Sequence, residues 1–261
     1  METINTRLAV DNKSSIHLCI KKPTFNTCGC IIFSHGFSVA GFESYRFFWE
    51  LSNELTANDF ICVLFDYRGS GYSDLSFSDM TIDTEIEDLN CVIDYVVKDI
   101  YSETNLIIWG CSFGSGVASL VGAQRNDIGG FLLWCLSAEL EQRYSKTLGT
   151  EIHKVGYVYI DKGDKVKKDF LDSLKNKDVY NSISQIPSPI LFVHGTDDTK
   201  ASVNLSKQAF EMARGNKELA LIEGGNHGFK CQPEQFAKAK KISFEWIDRI
   251  TKRTEKNGFY E

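Results

Sequence analysis

Residues 106–120 read LIIWGCSFGSGVASL. An apolar run stops at Gly110, Ser112 follows, and Gly114 closes a G-x-S-x-G spacing before a helix-like segment begins. A short apolar run that ends at glycine is the pattern of a strand buried on both faces. The spacing fits a strand–turn–helix elbow, which holds its central residue in strained backbone geometry and needs small residues two positions to either side. On that reading Ser112 is a candidate nucleophile. The N–H of Phe113 then lies at a helix N-terminus, where negative charge is stabilised. The plainer alternative is a glycine-rich turn with a solvent-facing serine, and the flanking segments decide between them.

Outward from the elbow, short apolar runs alternate with helical patterns. CIIF (30–33) precedes a helix over about 43–57, and FICVLFD (60–66) precedes one over about 82–98. In the second, Ile82, Ile86, Leu89, Ile93 and Val96 recur every three or four residues, which gives one apolar face. Further runs are GFLLWCL (130–136), PILFV (189–193) and LALIE (219–223), and a closing helix spans about 236–250. Two strand-like stretches, 2–10 and 14–22, precede all of these as an antiparallel lead-in. Continuous apolar strands alternating with helices predict a mostly parallel sheet covered on both faces. The interval 137–186 breaks the rhythm and is too long for a structureless loop in a compact domain. It is read as a small helical cap inserted between a core of 1–136 and 187–261, with a helix over 166–174.

A serine hydroxyl needs a base to act as a nucleophile. Of the five histidines, His17 lies in an early strand and His153 in the cap. His35 and His194 each close an apolar run before a glycine, which suits a structural role. His227, in EGGNHGF (223–229), follows the last strand and is the candidate base. A carboxylate must fix its tautomer, and HGTDDTKAS (194–202) offers Asp197 and Asp198 after the preceding strand. Adjacent residues of an extended chain point to opposite sides, so one is aimed at His227. Asp198 is assigned to it, and Asp197 to local backbone. The chain order Ser112, Asp198, His227 is that of nucleophile, acid and base in hydrolases built on such an elbow. The backbone N–H groups of Phe37, in the SHGF loop (34–37), and of Phe113 would hold a developing oxyanion.

Composition narrows the classes. A net charge of −6 disfavours a general nucleic-acid binder. The mixed-sign stretch 161–178 reads as a solvated helix face. No apolar run reaches membrane-spanning length, and residues 1–10 lack a signal core, so a cytoplasmic protein is expected. The eight cysteines read as reduced and mostly buried thiols. Cys28 and Cys30 are a close pair without a second pair at zinc spacing, so no metal site is expected, and the chemistry requires no cofactor.

The pieces HGF, FDYRGSGYSD, GCSFG, HGTDD and GGNHGF stand in the order found in α/β hydrolases, which the chain resembles over its whole length. Within that superfamily, residues 77–96 and 194–207 are similar to the bacterial cinnamoyl (feruloyl) esterase group. The resemblance implies an α/β-hydrolase fold, Ser112–Asp198–His227 catalysis, oxyanion donation from Phe37 and Phe113, and a small cap over the acyl pocket. The elbow differs from that group in carrying Cys111 and Phe113 where those esterases have histidine and glutamine. The expected partner is a small-molecule ester with a small to medium, apolar or aromatic acyl group. Tyr144 and Tyr157 of the tyrosine-rich cap are candidates to touch it. Thioesterase, lysophospholipase, monoacylglycerol lipase, acyltransferase and aminopeptidase readings use the same residues. A non-catalytic binding protein on a hydrolase scaffold would more often lack one of them.

Overall fold

The computed structural model describes residues 1–42, 46–160 and 163–252. Its strands are β1 (Glu2–Ala9), β2 (Ser15–Lys22), β3 (Gly29–Ser34), β4 (Phe60–Phe65), β5 (Leu106–Cys111), β6 (Gly130–Trp134), β7 (Tyr157–Tyr159), β8 (Lys165–Lys167), β9 (Ile190–Gly195) and β10 (Lys217–Ile222). Helices are α1 (Phe47–Ala57), α2 (Ile82–Tyr95), α3 (Phe113–Gly122), α4 (Leu140–Val155), α5 (Lys168–Ser173), α6 (Val179–Ile183), α7 (Val203–Met212) and α8 (Pro233–Ile250). Eight strands form one sheet in the order β1-β2-β4-β3-β5-β6-β9-β10, and β7 pairs with β8 apart from it. β1 runs antiparallel to β2, and β2 to β4; every other pairing in the large sheet is parallel.

β3, β4, β5, β6 and β9 are buried on both faces as their apolar runs predict, whereas β10, the terminal strand that takes in LALI, is mostly half-buried. Successive side chains point to opposite faces, so Cys30 and Ile32 join one core while Ile31 and Phe33 join the other. α1 and α8 close one core with Phe48, Leu51, Phe244, Trp246 and Ile247. α2, α3 and the elements between β6 and β9 close the opposite one. Thr81 starts α2 with a capping box, its hydroxyl accepting the Thr84 N–H while the Thr84 hydroxyl accepts the Thr81 N–H. That exchange satisfies two donors a helix start leaves unpaired.

Several expected boundaries move. The helix expected from 43 is described from Phe47, and residues 43–45 lie outside the described residues. The run 130–136 stops being strand at Trp134, because Cys135 turns away at φ 50°. The helix expected over 166–174 is α5, Lys168–Ser173, with Val166 in β8 instead. Consequently the stretch 161–178 is not one solvated helix face. Its described part is a strand, a short helix and a turn, with Lys167 bonded to Asp79 at 2.7 Å and Lys177 to Asp83 at 2.5 Å. Both bonds tie the segment to the core around α2.

Candidate active site

Ser112 stands between β5 and α3 at φ 54°, ψ −120°, a region that costs a non-glycine residue backbone strain. Two glycines make this possible by different clashes. A Cβ on Gly110 would lie 2.6 Å from Ser115 Cα, inside the elbow's own first turn. A Cβ on Gly114 would lie 2.3 Å from the carbonyl oxygens of Ser34 and His35, at the end of β3. Both glycines therefore avoid backbone, and for Gly110 that includes the Gly114 carbonyl oxygen, 2.8 Å from such a Cβ. Ser34 fixes the same approach by donating to the Gly114 carbonyl at 2.8 Å, and Ser115 Oγ donates to the Ser112 carbonyl at 2.5 Å.

His227 follows β10 and Asp198 follows β9. His227 Nε2 lies 2.9 Å from Ser112 Oγ, and His227 Nδ1 lies 2.7 Å from Asp198 Oδ2. An ionised carboxylate only accepts, so Nδ1 carries the proton and Nε2 is left to accept from the serine hydroxyl. Asp198 Oδ1 accepts the N–H groups of Lys200 and Ala201, both at 2.8 Å. Burial pushes this carboxyl up. Hydrogen bonds from His194 and His227, the charge of a protonated His227 and the Ala201 N–H outweigh that and hold it well below the usual carboxylate range. Asp197 is exposed and accepts from Thr196 Oγ1 at 3.1 Å, a side chain and not backbone. The two aspartates differ in direction because a turn holds them, not extended chain: β9 ends at Gly195 and the Asp198 N–H returns to the Gly195 carbonyl.

His194 does more than close a strand. It is fully buried, with Nε2 2.9 Å from the Ala201 carbonyl and 3.3 Å from Asp198 Oδ2. Both oxygens only accept, so Nε2 bears hydrogen and supports the same Asp198 oxygen that takes His227 Nδ1. Nδ1 faces Ser206 Oγ at 2.7 Å. The sequence signal for this was the four-residue spacing from His194 to Asp198 across a tight turn. His35 also has a fixed tautomer. Its Nε2 accepts the Tyr67 N–H at 3.1 Å, and its Nδ1 therefore donates to the Gly36 carbonyl at 2.9 Å. That bond shapes the loop carrying Phe37.

Among the described residues, neither the Phe37 N–H nor the Phe113 N–H has a hydrogen-bond partner. The loop after Phe37 is pinned at two points: Ser38 Oγ donates to Asp164 at 2.5 Å, and the Gly41 N–H donates to Asp66 at 2.6 Å. The Phe37 ring packs against Phe77, Phe113, Tyr144 and Phe170, with centroids between 4.9 and 5.6 Å away. Tyr144 and Phe170 come from the 137–186 interval, which thus meets the Phe37 loop directly. Tyr157 does not join this group. It is 37% exposed on β7, with its ring against Tyr159 and Lys165.

Comparisons with known proteins agree with this architecture. A model of the family Hydrolase_4, described as serine aminopeptidase, S33, matches residues 26–155. YqkD of Bacillus subtilis (strain 168), an uncharacterized protein, is 30% identical over 73 residues, and the match spans 28% of this chain and 24% of that protein. Est1E from Butyrivibrio proteoclasticus, solved with ferulic acid bound, superposes with a TM-score of 0.81 at 21% identity, covering 93% of this chain and 99% of that one. The α/β hydrolase GrgF from Penicillium sp. sh18 gives a TM-score of 0.79 at 15% identity, covering 97% and 100% of the two chains. No helix among the described residues is long and apolar enough to cross a membrane. The mostly parallel sheet and these shared folds give the chain the α/β-hydrolase fold, and its residues 26–155 are similar to the Hydrolase_4 family.

Proposed function

We propose that this α/β hydrolase cleaves carboxylic esters through an acyl-enzyme formed on Ser112. The observation that carries the reading is the unbroken line from Ser112 Oγ through His227 to Asp198, at 2.9 and 2.7 Å. His227 Nε2 takes the hydroxyl proton as Ser112 Oγ bonds to the ester carbonyl carbon. Asp198 stabilises the imidazolium without taking a proton itself. The unpartnered N–H groups of Phe37 and Phe113 hold the oxyanion. His227 then protonates the leaving alcohol, and the same nitrogen later activates water to release the acid. Neither step calls for a metal or an organic cofactor.

The rings around Phe37 support an apolar or aromatic acyl group of small to medium size. Residues 137–186 are assigned as the cap, with Tyr144 as a substrate-facing candidate through its contact with the Phe37 ring. Tyr157 lies on the exposed hairpin, apart from the rings around Phe37. A cytoplasmic location is consistent with this reading. The family match favours one further reading, aminopeptidase action with the same residues.

A fluorophosphonate probe tests the mechanism. Labelling at Ser112 in the folded protein is expected, with none in Ser112→Ala. An unlabelled wild-type protein would sink the enzyme reading. Rates on p-nitrophenyl esters of rising chain length, on methyl ferulate and on aminoacyl p-nitroanilides then separate the substrates. Turnover of short esters and methyl ferulate is expected to exceed that of the anilides, and the reverse order would favour the peptidase.

A further inference from the structure

The Phe37 N–H and the Gly36 carbonyl belong to one planar peptide unit, so whatever holds the carbonyl also sets where the N–H points. His35 Nδ1 donates to that carbonyl at 2.9 Å. On the far side of Phe37 the chain turns at once. Ser38 takes φ 57°, in the left-handed region, which costs any side chain but glycine. Such a conformation persists only where the surroundings fix it, and outliers of this kind gather at functional sites. One fixing group is Asp164. The Ser38 hydroxyl donates to its Oδ2 at 2.5 Å, across 126 residues of chain. Asp164 is itself firmly placed. It stands directly before β8, and its carbonyl accepts the Ile160 N–H at 2.9 Å, which closes the β7–β8 hairpin. Val166, two residues on, is buried, and Lys167 bonds to Asp79 at 2.7 Å. The carboxylate therefore reaches Ser38 from a braced strand end and not from a free loop. Gly41, three residues beyond Ser38, is held by Asp66. His35 and Asp66 hold the loop from the ends of β3 and β4, whereas Asp164 holds it from the 137–186 interval.

We propose that Asp164 is a positioning residue for the oxyanion donor. Through Ser38 it fixes the backbone that aims the Phe37 N–H, so that the donor is in place only when the 137–186 interval is seated on the loop. The inference rests on the ester-cleavage reading above and adds to it a dependence of the oxyanion site on the cap. In this role Asp164 touches no reacting atom, and no bond to it forms or breaks in the reaction. What it supplies is direction, and preorganised donors act through direction because they need no reorganisation when charge develops.

The test uses Asp164→Ala, Ser38→Ala, the double variant and Asp164→Asn in the full chain, with p-nitrophenyl acetate, whose short acyl group makes least use of the rings around Phe37. Removing one oxyanion donor costs roughly 10²–10³ in kcat. A misaimed donor should cost less, and a loss of about tenfold is expected in each alanine variant, with KM within about twofold of wild type. Both substitutions break the same bond, so the double variant should fall no more than about twofold below the slower single one. Independent effects would multiply to about a hundredfold. Asp164→Asn keeps an oxygen that can accept from Ser38 and should recover most of the rate. Inhibition by 1,1,1-trifluoro-4-phenylbutan-2-one reads the oxyanion directly. Ser112 Oγ bonds to its carbonyl carbon, the hydroxyl proton passes to His227, and the carbonyl electron pair moves onto the oxygen that the Phe37 N–H holds. Affinity for this ketone should fall in the alanine variants by about the same factor as kcat/KM, a change that a carboxylate bracing only the hairpin would not produce. A folded Asp164→Ala or Ser38→Ala with wild-type kcat would overturn the proposal. So would losses that multiply in the double variant, a rate loss with the ketone's affinity unmoved, or an Asp164→Asn no faster than Asp164→Ala. If Asp164→Ala does not fold, Ser38→Ala decides by the same rate and affinity readings. Fluorophosphonate labelling of wild-type Ser112 is measured beside these. An unlabelled wild type would overturn the ester-cleavage reading itself, whereas a labelled wild type with unmoved variants overturns only the role of Asp164.

Discussion

Asp198 and Asp197 are chemically identical neighbours with opposite surroundings. One is buried with both oxygens occupied by N–H groups, and the other is exposed beside Thr196. Asp198→Asn keeps the shape but reverses the tautomer demand on His227, and a loss of about 10⁴-fold in kcat is expected. Asp197→Asn should stay within about threefold of wild type, and the opposite ranking would reassign the acid. The low folded pKa of Asp198 also has a stability consequence. Its contribution is present above the ordinary value of 3.8 and is lost as pH falls towards the depressed one. Residues of this kind were legible because each is a reactive type in a glycine-rich turn after an apolar run. His194 and Cys135 were not. His194 closes its run as any strand-end histidine does, and only its four-residue spacing from Asp198 hints at the contact; Cys135 hides inside GFLLWCL, where nothing in the sequence marks the backbone reversal.

At the scale of elements, the elbow is a docking of α3 onto the end of β3, and Gly114 sets how close they come. Gly114→Ala places a methyl 2.3 Å from two carbonyl oxygens of residues 34 and 35, so the helix or the Phe37 loop must shift. Overpacking of this kind costs about 1–3 kcal/mol, occasionally more. We expect a clear drop in urea midpoint together with loss of the proposed esterase activity. Unchanged stability would show that the backbone yields more easily than the contact implies. Strands and the α2 helix were readable from period and punctuation. α4 was not, although Leu140, Tyr144, Leu148 and Ile152 recur every fourth residue. Its polar remainder and Gly149 dilute the pattern, and its N-terminus has no side-chain cap to announce it. α5 is too short to show a period, and the β8 strand before it takes Val166 into the sheet-like pair.

Across the whole molecule, the sheet divides two cores and carries the site along one edge, and that much follows from the alternation of runs and helices. The sequence held no sign that Lys21 is fully buried on β2, without a carboxylate partner among the described residues. Its ammonium donates to the Trp49 carbonyl, Ser52 Oγ and Asn53 Oδ1 and lies 3.4 Å from the Trp49 ring centroid. Burial lowers its pKa from the ordinary 10.5 to about 8. Between those values the unfolded chain holds a proton that the folded chain has released, so this group's contribution to stability rises with pH. Urea unfolding of wild type and Lys21→Met at pH 7.5 and 10 should show the difference moving in favour of wild type at the higher pH. A difference that does not change would refute it. The sheet order also ranks the parts of the site by how firmly they are moored. Ser112 leaves the interior strand β5, whereas His227 hangs from β10, the terminal strand, whose residues are mostly only half-buried. Fraying begins where backbone hydrogen bonds are least covered, so His227 should leave before Ser112 does. In urea too dilute to unfold the tryptophan-rich core beneath α1 and α8, activity should already be fading while the fluorescence of Trp109 and Trp134 holds. Catalysis would then serve as a gauge of the sheet's outer margin, reporting a loosening that bulk measures of the fold do not register.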